Sequence, residues 1–252
     1  MNTTCILVEG KDDIAFVRRL VDKERQNAGL TSLRWKVLNE NDKAIINSSE
    51  WVGNCVVTFP SQVVAIMEVR GIYKIEKALD MEPIYGLVSI GNKEYPVNKY
   101  VCIFDADALT NFLGNPVPHG GFNARDSYVR QKMSASGKAF DVFLLADNAS
   151  DTTLEDLVSN MIDPKYQFLV RRNWVDYRMG AATDLMVNTG EQALGYSKKC
   201  EVSQFATILD ESVAKDLYWI SALWNDRIWD WNAACLNPLK SFIRAQVPVL
   251  FR

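Results

Sequence analysis

Hydrophobic residues in the first 146 positions gather into short continuous runs: CILV at 5–8, CVVTF at 55–59, VCIF at 101–104 and FDVFLLA at 140–146. Runs this short, bounded by turn or acidic residues, predict strands buried on both faces, as in a parallel sheet. After a first strand at 4–9, Gly10 permits a sharp turn. Phe16, Val17, Leu20 and Val21 then recur at helical spacing opposite Arg18, Arg19, Lys23 and Glu24, which predicts a helix over 12–26. SLRWKVL at 32–38 reads as a second strand and the polar stretch at 39–51 as a loop, whereas SQVVAIM at 61–67 fits strand or helix. GIYKIEKAL at 71–79 has a short helical pattern, and alternation around 84–98, with Gly91 and Asn92 as turn residues, predicts a hairpin inserted before the next core strand at 100–104.

The glycine- and proline-containing segment NFLGNPVPHGGFN predicts a loop leading into a helix over 124–133. After the strand at 140–146, Asp151 or Thr152 can cap a helix that carries Glu155 and Asp156 in its first turn. From Pro164 onward the spacing is helical, with a break near 180–197 and long helices through Phe242. The pattern therefore predicts an α/β unit over 1–162, with a mostly parallel central sheet flanked by helices, and a mainly helical region over 163–252 packed on it.

Composition narrows the class. At 252 residues with 48% hydrophobic and 23% charged residues, the chain has the make-up of an ordinary folded core and not of a disordered segment. The formal net charge of -3 argues against coating nucleic acid by bulk positive charge, while leaving room for a local basic groove. Cys5, Cys55, Cys102, Cys200 and Cys235 have no CxxC spacing, and Cys5, Cys55 and Cys102 lie in the apolar runs, so buried reduced thiols and a cytoplasmic setting are expected. No signal-peptide pattern and no apolar run of membrane-spanning length occurs, so no membrane partner is expected.

The candidate chemistry lies where the apolar runs end. Glu9 closes the first strand, Asp105 and Asp107 close the run VCIF, and Asp147, Asp151 and Glu155 follow FDVFLLA. In open α/β sheets ligands bind at the carboxyl edge near the point where strand order switches. Asp105 and Asp107, two apart in extended backbone, are expected to project to one side. Glu9 and Asp13, four apart across the turn, can meet on one face. Hard divalent cations take oxygen ligands of this kind, and crowded carboxylates are costly without one. Taken singly, Asp12, Asp13, Glu155 and Asp156 also suit helix starts; the grouping of Glu9, Asp105 and Asp107 has no such explanation.

At VEGKDD and FDAD the chain resembles the TOPRIM family, whose motif is a glutamate and glycine after the first strand and an aspartate-any-aspartate after a later one. LLADNASDTTLEDL and WNDRIWDWNAACLNPLKSF are similar to segments of the small stand-alone TOPRIM proteins related to OLD-type nucleases. The resemblance implies a Rossmann-like TOPRIM fold binding Mg2+ or Mn2+ for phosphodiester hydrolysis in DNA or RNA, in phage defence or nucleic-acid processing, with an ATPase partner and a homo-oligomeric state as further possibilities. By position, Glu9 is implied as metal ligand or general acid/base, Asp13 as a second-site ligand, and Asp105 and Asp107 as the main pair. Glu155, with Asp151 or Asp147, is implied to complete a second site, and Lys11 to contact a phosphate. In DADALTNFLG the glycine usual soon after the acidic pair is delayed to Gly114. A catalytically weakened TOPRIM module that binds or regulates a partner is the alternative.

Other chemistry finds less support. His119, the single histidine, sits in a PHGG turn without a nucleophile pattern around it, and no GxxxxGK[ST] phosphate loop is present. Trp219, Trp224, Trp229 and Trp231 mix with aliphatics at helical spacing, which favours core or subunit interface over base stacking. Arg171, Arg172 and Arg178 are read as an exposed helix face.

Overall fold

The computed structural model describes residues 1–38, 44–46, 50–52, 54–71, 75, 87–90, 92–109, 116–171, 187–188, 202–203, 205–206, 209 and 219–252. The buried apolar runs form a six-stranded sheet in the order β10-β9-β1-β6-β5-β2, made of β1 (Asn2–Val8), β2 (Lys36–Val37), β5 (Cys55–Thr58), β6 (Gln62–Glu68), β9 (Lys99–Asp105) and β10 (Ala139–Leu145). β10, β9, β1 and β6 run parallel, and at one edge β5 pairs antiparallel with β6 and β2 antiparallel with β5. The protein is thus a mixed α/β structure with a mostly parallel sheet. SQVVAIM, readable as strand or helix, is strand β6, because it supplies the parallel partner of β1 from Asn2↔Gln62 to Val8↔Glu68. A turn at 59–61 joins it to β5, with Phe59 N–H bonded to Gln62 C=O at 2.8 Å.

Other boundaries shift for local reasons. The strand expected over 32–38 shortens to Lys36–Val37. The expected loop at 39–51 contains β3 (Ala44–Ile46) and β4 (Glu50–Val52), paired antiparallel with Ile45 opposite Trp51 in register. The alternating segment folds as the hairpin β7 (Leu87–Ile90) and β8 (Lys93–Pro96). The helical pattern at 71–79 lies, apart from Gly71 and Ile75, outside the described residues.

Two apolar layers cover the sheet. On one face α1 (Lys11–Asn27) packs with Ile14, Phe16, Val17, Leu20 and Val21 against the β1 residues Ile6 and Val8, and α3 (Leu154–Asn160) joins the same layer. On the other face α2 (Phe122–Ser134) packs Val129 and Met133 against Leu7, Cys102 and Phe104. The chain leaves β1 through α1 toward β6 and leaves β9 through α2 toward β10, so the two crossover helices lie on opposite faces. The switch of strand order therefore falls between β1 and β9.

The C-terminal region enters the α1 layer directly. Trp229, Trp231, Leu236, Leu239, Ile243, Val247 and Leu250 belong to one apolar core with α1, and the Phe16 and Trp231 rings lie 5.9 Å apart. This is the core role expected of Trp229 and Trp231, and buried Trp229 satisfies its indole N–H on the Ala222 carbonyl at 2.6 Å; the Trp219 side chain lies outside the described set. Of the long helices expected through Phe242, the described residues show helix at Val202, Ser203, Phe205, Ala206 and Leu209, short 3-10 turns at Trp219–Trp224 and Ala234–Leu236, and then α4 (Asn237–Gln246). Asp230 and Asn225 side chains accept from backbone amides two residues on, which favours turns, and Pro238 suits a helix start because it lacks the N–H that a first turn leaves unpaired. Buried Glu24 of α1 anchors α4 by ion pairs to Lys240 (2.9 Å) and Arg244 (2.6 Å). Among the described residues, no helix is long and apolar enough to cross a membrane.

Candidate functional site

The register of the central strands carries Glu9 and Asp105 to adjacent places at the switch point. Val8 pairs with Ile103, so Glu9, the next residue, emerges beside the end of β9, where Asp105 is the last strand residue. Gly10 turns the chain into α1, and Asp13 on its first turn folds back so that its Oδ2 accepts from the Gly10 N–H at 2.8 Å. From the far side α3 points its N-terminus at the same spot, and Asp105 Oδ1 accepts from the Leu154 N–H at 2.7 Å. Glu155 follows on that first turn.

Electrostatics shows which acids have gathered. Burial raises the Asp13 carboxyl well above its ordinary value of 3.8, and Glu9, Asp12 and Glu155 push it further against the opposing hydrogen bond from Gly10. Burial is also the main cause of the rise at Asp105, followed by repulsion from Asp13, Glu9, Glu155 and Asp107. Glu9, Asp13, Asp105 and Glu155 therefore form one mutually repelling group drawn from two strand ends and two helix starts. Lys11 is half-buried at the start of α1 and makes no ion pair among the described residues.

Two expected members sit elsewhere. Asp147 is exposed and accepts from the Ala149 and Ser150 amides at 3.0 and 2.9 Å and from the Ser150 hydroxyl at 2.8 Å. Slight burial opposes ionisation there, but those hydrogen bonds win and hold its carboxyl below the ordinary value. Asp151, also exposed, accepts from the Phe122 N–H at the start of α2. The helix cap expected at Asp151 or Thr152 belongs to Thr153, whose amide and hydroxyl both donate to Asp156 Oδ2 at 3.0 Å, while Thr152 Oγ1 accepts from the Ala146 N–H at 2.7 Å. The spacing Thr153-x-x-Asp156 is a capping box, a signal present in the sequence.

Asp105 and Asp107 do not project together as two residues of an extended strand would. The strand ends at Asp105, and Asp107 adopts a left-handed backbone with φ 56°. Its side chain turns to the α2 face and pairs with Arg125, whereas Asp105 faces α3. The loop that follows is tight: a Cβ at Gly120 would lie 2.4 Å from the Ala108 carbonyl oxygen, so only glycine fits. Gly121, at φ 86°, donates its N–H to the Asp107 carbonyl and ends this loop. His119 stacks on Tyr128 with ring centroids 4.1 Å apart. Gly114, Arg172 and Arg178 lie outside the described residues.

Two residues near the site have no counterpart in the sequence reading. Arg125 is fully buried, and its Nε and Nη1 have no hydrogen-bond partner among the described residues. In FNARDSYVR it looks like an ordinary surface arginine of a helix. Glu68 ends β6 level with Val8, is buried, and pairs with Arg70 at 3.4 Å. Its signal was the one that marked Glu9 and Asp105, an acid closing an apolar run, but it depended on assigning SQVVAIM as a strand.

As donors for a hard divalent cation, Glu9, Asp13, Asp105 and Glu155 fit in kind, being carboxylate oxygens crowded together at one place. In arrangement they do not yet converge: among the described residues no group of three or more His, Cys, Asp or Glu side chains is placed to hold a metal ion as it stands. Asp13 and Asp105 each have one oxygen engaged by a backbone amide. No protein-family model matches the chain, and no curated protein matches it. Among solved structures it is similar to the crystal structure of a hypothetical protein from Pyrococcus horikoshii OT3, at 16% identity and a TM-score of 0.43 over 99% of this chain and 98% of that one.

Proposed function

We propose that this protein is a TOPRIM-type, divalent-metal-dependent phosphodiesterase acting on DNA or RNA. The observation that carries the proposal is the gathering of Glu9, Asp13, Asp105 and Glu155 at the switch point, with Asp13 and Asp105 raised first by burial and then by repulsion from their acidic neighbours. In this reading these carboxylates hold Mg2+ or Mn2+. When bound, such an ion supplies positive charge against the charge that develops on a phosphate during hydrolysis.

The chain's own groups have distinct parts. Asp105 Oδ1 is fixed on the Leu154 amide and Asp13 Oδ2 on the Gly10 amide, leaving Asp105 Oδ2 and Asp13 Oδ1 to retain the cluster's proton and give it up when a cation enters. Lys11, at the N-terminus of the 17-residue α1, is placed where a helix start and an ammonium group favour a phosphate. The apolar layers on either side fix the strand ends, so the carboxylates stand on rigid elements.

The experiment is incubation of the purified protein with plasmid, single-stranded DNA and RNA in Mg2+ or Mn2+, beside Asp105→Ala and Glu9→Ala. Metal-dependent cleavage lost in both variants is the expected result. Cleavage untouched by both substitutions, or none by the wild type, sinks the enzyme reading. One observation favours a second reading, a TOPRIM module that binds or regulates a partner without cleaving: no three of the described acidic side chains converge to hold an ion as they stand. Nucleic-acid binding without metal-dependent cleavage would select it.

A further inference from the structure

The pairing of Asp107 with a buried guanidinium divides the acidic motif. Asp107 is about one third exposed, and Arg125 has no exposed side-chain surface. An arginine stays charged at any ordinary pH, so within this apolar layer it needs a permanent anion. Among the described residues Asp107 alone supplies one: Arg125 Nη2 donates to Asp107 Oδ2, and Arg125 Nε and Nη1 find no acceptor. Val129 and Met133 of α2, with Phe104 and Ala106 at the end of β9, belong to the apolar cluster on this face of the sheet. The left-handed backbone at Asp107 aims its carboxylate toward α2 and away from the α3 face, where Asp105 is bonded.

We propose that Arg125 withdraws Asp107 from the cation-holding set, making Arg125 and Asp107 a positioning pair that fixes the end of β9 while Glu9, Asp13, Asp105 and Glu155 receive the ion. The inference rests on the metal-dependent reading above and narrows it: the two aspartates of the FDAD motif have different jobs. Asp105 is a ligand. Asp107 is the counter-ion of a buried arginine. Removing Arg125 would return an uncommitted carboxylate to the acidic group and strengthen its attraction for a cation.

Mn2+ affinity, read by electron paramagnetic resonance of the free ion without any turnover, tests this. Even groups that merely orient metal ligands are worth about 10- to 100-fold in affinity, so Asp105→Asn is expected to weaken Mn2+ binding by about 100-fold or more. Removing both partners of a buried pair is tolerated far better than removing one, so the double variant Asp107→Asn/Arg125→Met keeps the test usable if either single variant fails to fold. The double variant is expected to bind within about threefold of wild type, well inside that 10- to 100-fold range. Arg125→Met alone is expected to bind Mn2+ more tightly, a gain that disappears in the double variant and that a merely structural role for Arg125 would not produce. A double variant that is folded but loses Mn2+ as Asp105→Asn does overturns this assignment only. No Mn2+ binding by the wild type overturns the metal-dependent reading and this assignment with it.

Discussion

Asparagine at position 105 removes one charge from the acidic group while keeping an oxygen for the Leu154 amide, so its consequences are electrostatic. In the wild type, burial first and then Asp13, Glu9, Glu155 and Asp107 raise the Asp105 carboxyl well above 3.8. The folded chain thus keeps this proton at pH values where the unfolded chain has released it, and the free energy of unfolding falls as pH rises from 3.8 through the folded value. Metal-free Asp105→Asn escapes that loss. It is expected to melt above the wild type at pH 8, with the two curves converging toward pH 4. Mn2+ reverses the order. At a free concentration 100 times its Kd, an ion that binds only the folded protein adds about 2.7 kcal/mol. At roughly 2–4 °C per kcal/mol for a chain of this size, the wild type gains about 5–11 °C, and Asp105→Asn gains less than about 2 °C. Differential scanning calorimetry at pH 4, 6 and 8, with and without Mn2+, measures both effects. A metal-free Asp105→Asn protein that melts below wild type at pH 8 would falsify the claim that Asp105 is held against repulsion.

Further outcomes follow from the packing. Glu24→Leu strands buried Lys240, and breaking a buried pair on one side costs about 3–5 kcal/mol, a fall in Tm of about 6–20 °C; adding Lys240→Met should restore most of it, and a fall below about 3 °C would show that this anchor is weak. Trp229→Ala removes a buried ring from the core shared with α1, at a cost of about 3–5 kcal/mol read by urea denaturation; an unchanged urea midpoint would mean that the C-terminal region contributes little to that core. Burial pushes the Cys5 and Cys102 thiols far up and the Cys55 thiol up to about 12, so native iodoacetamide treatment should leave all three unlabelled by peptide mass mapping, with labelling appearing on denaturation. Fast labelling of any of them in the folded protein would contradict the packing of the sheet.

Much of the α/β architecture was legible because buried parallel strands and an amphipathic helix write their periods into the sequence. The apolar runs at 5–8 and 101–104 lie inside β1 and β9, the run at 140–146 reaches one residue past the end of β10, and the spacing of Phe16, Val17, Leu20 and Val21 marks the buried face of α1. SQVVAIM stayed ambiguous because an apolar run as short as VVAIM has no period of its own. Its neighbour β1, distant in sequence, decided it. Trp229 and Trp231 were legible as core, but the turn around them, where the Asp230 side chain accepts from the Asn232 amide, was not.

The candidate site divides along the same line. By itself the sequence determined that Glu9, Asp105 and Asp107 would close apolar runs, and that Asp13 and Glu155 would sit in first turns of helices. These are facts of local order. Only the tertiary structure decided which acids meet, because that depends on strand register, on the switch between β1 and β9, and on the face each helix takes. It brought Asp13 and Glu155 to Glu9 and Asp105, left Asp147 and Asp151 bonded to backbone amides, and turned Asp107 to an arginine that no sequence spacing marks as its partner. A charge buried in a hydrocarbon layer must be answered by whichever opposite charge is near in space, and nearness in space is what the linear pattern does not record.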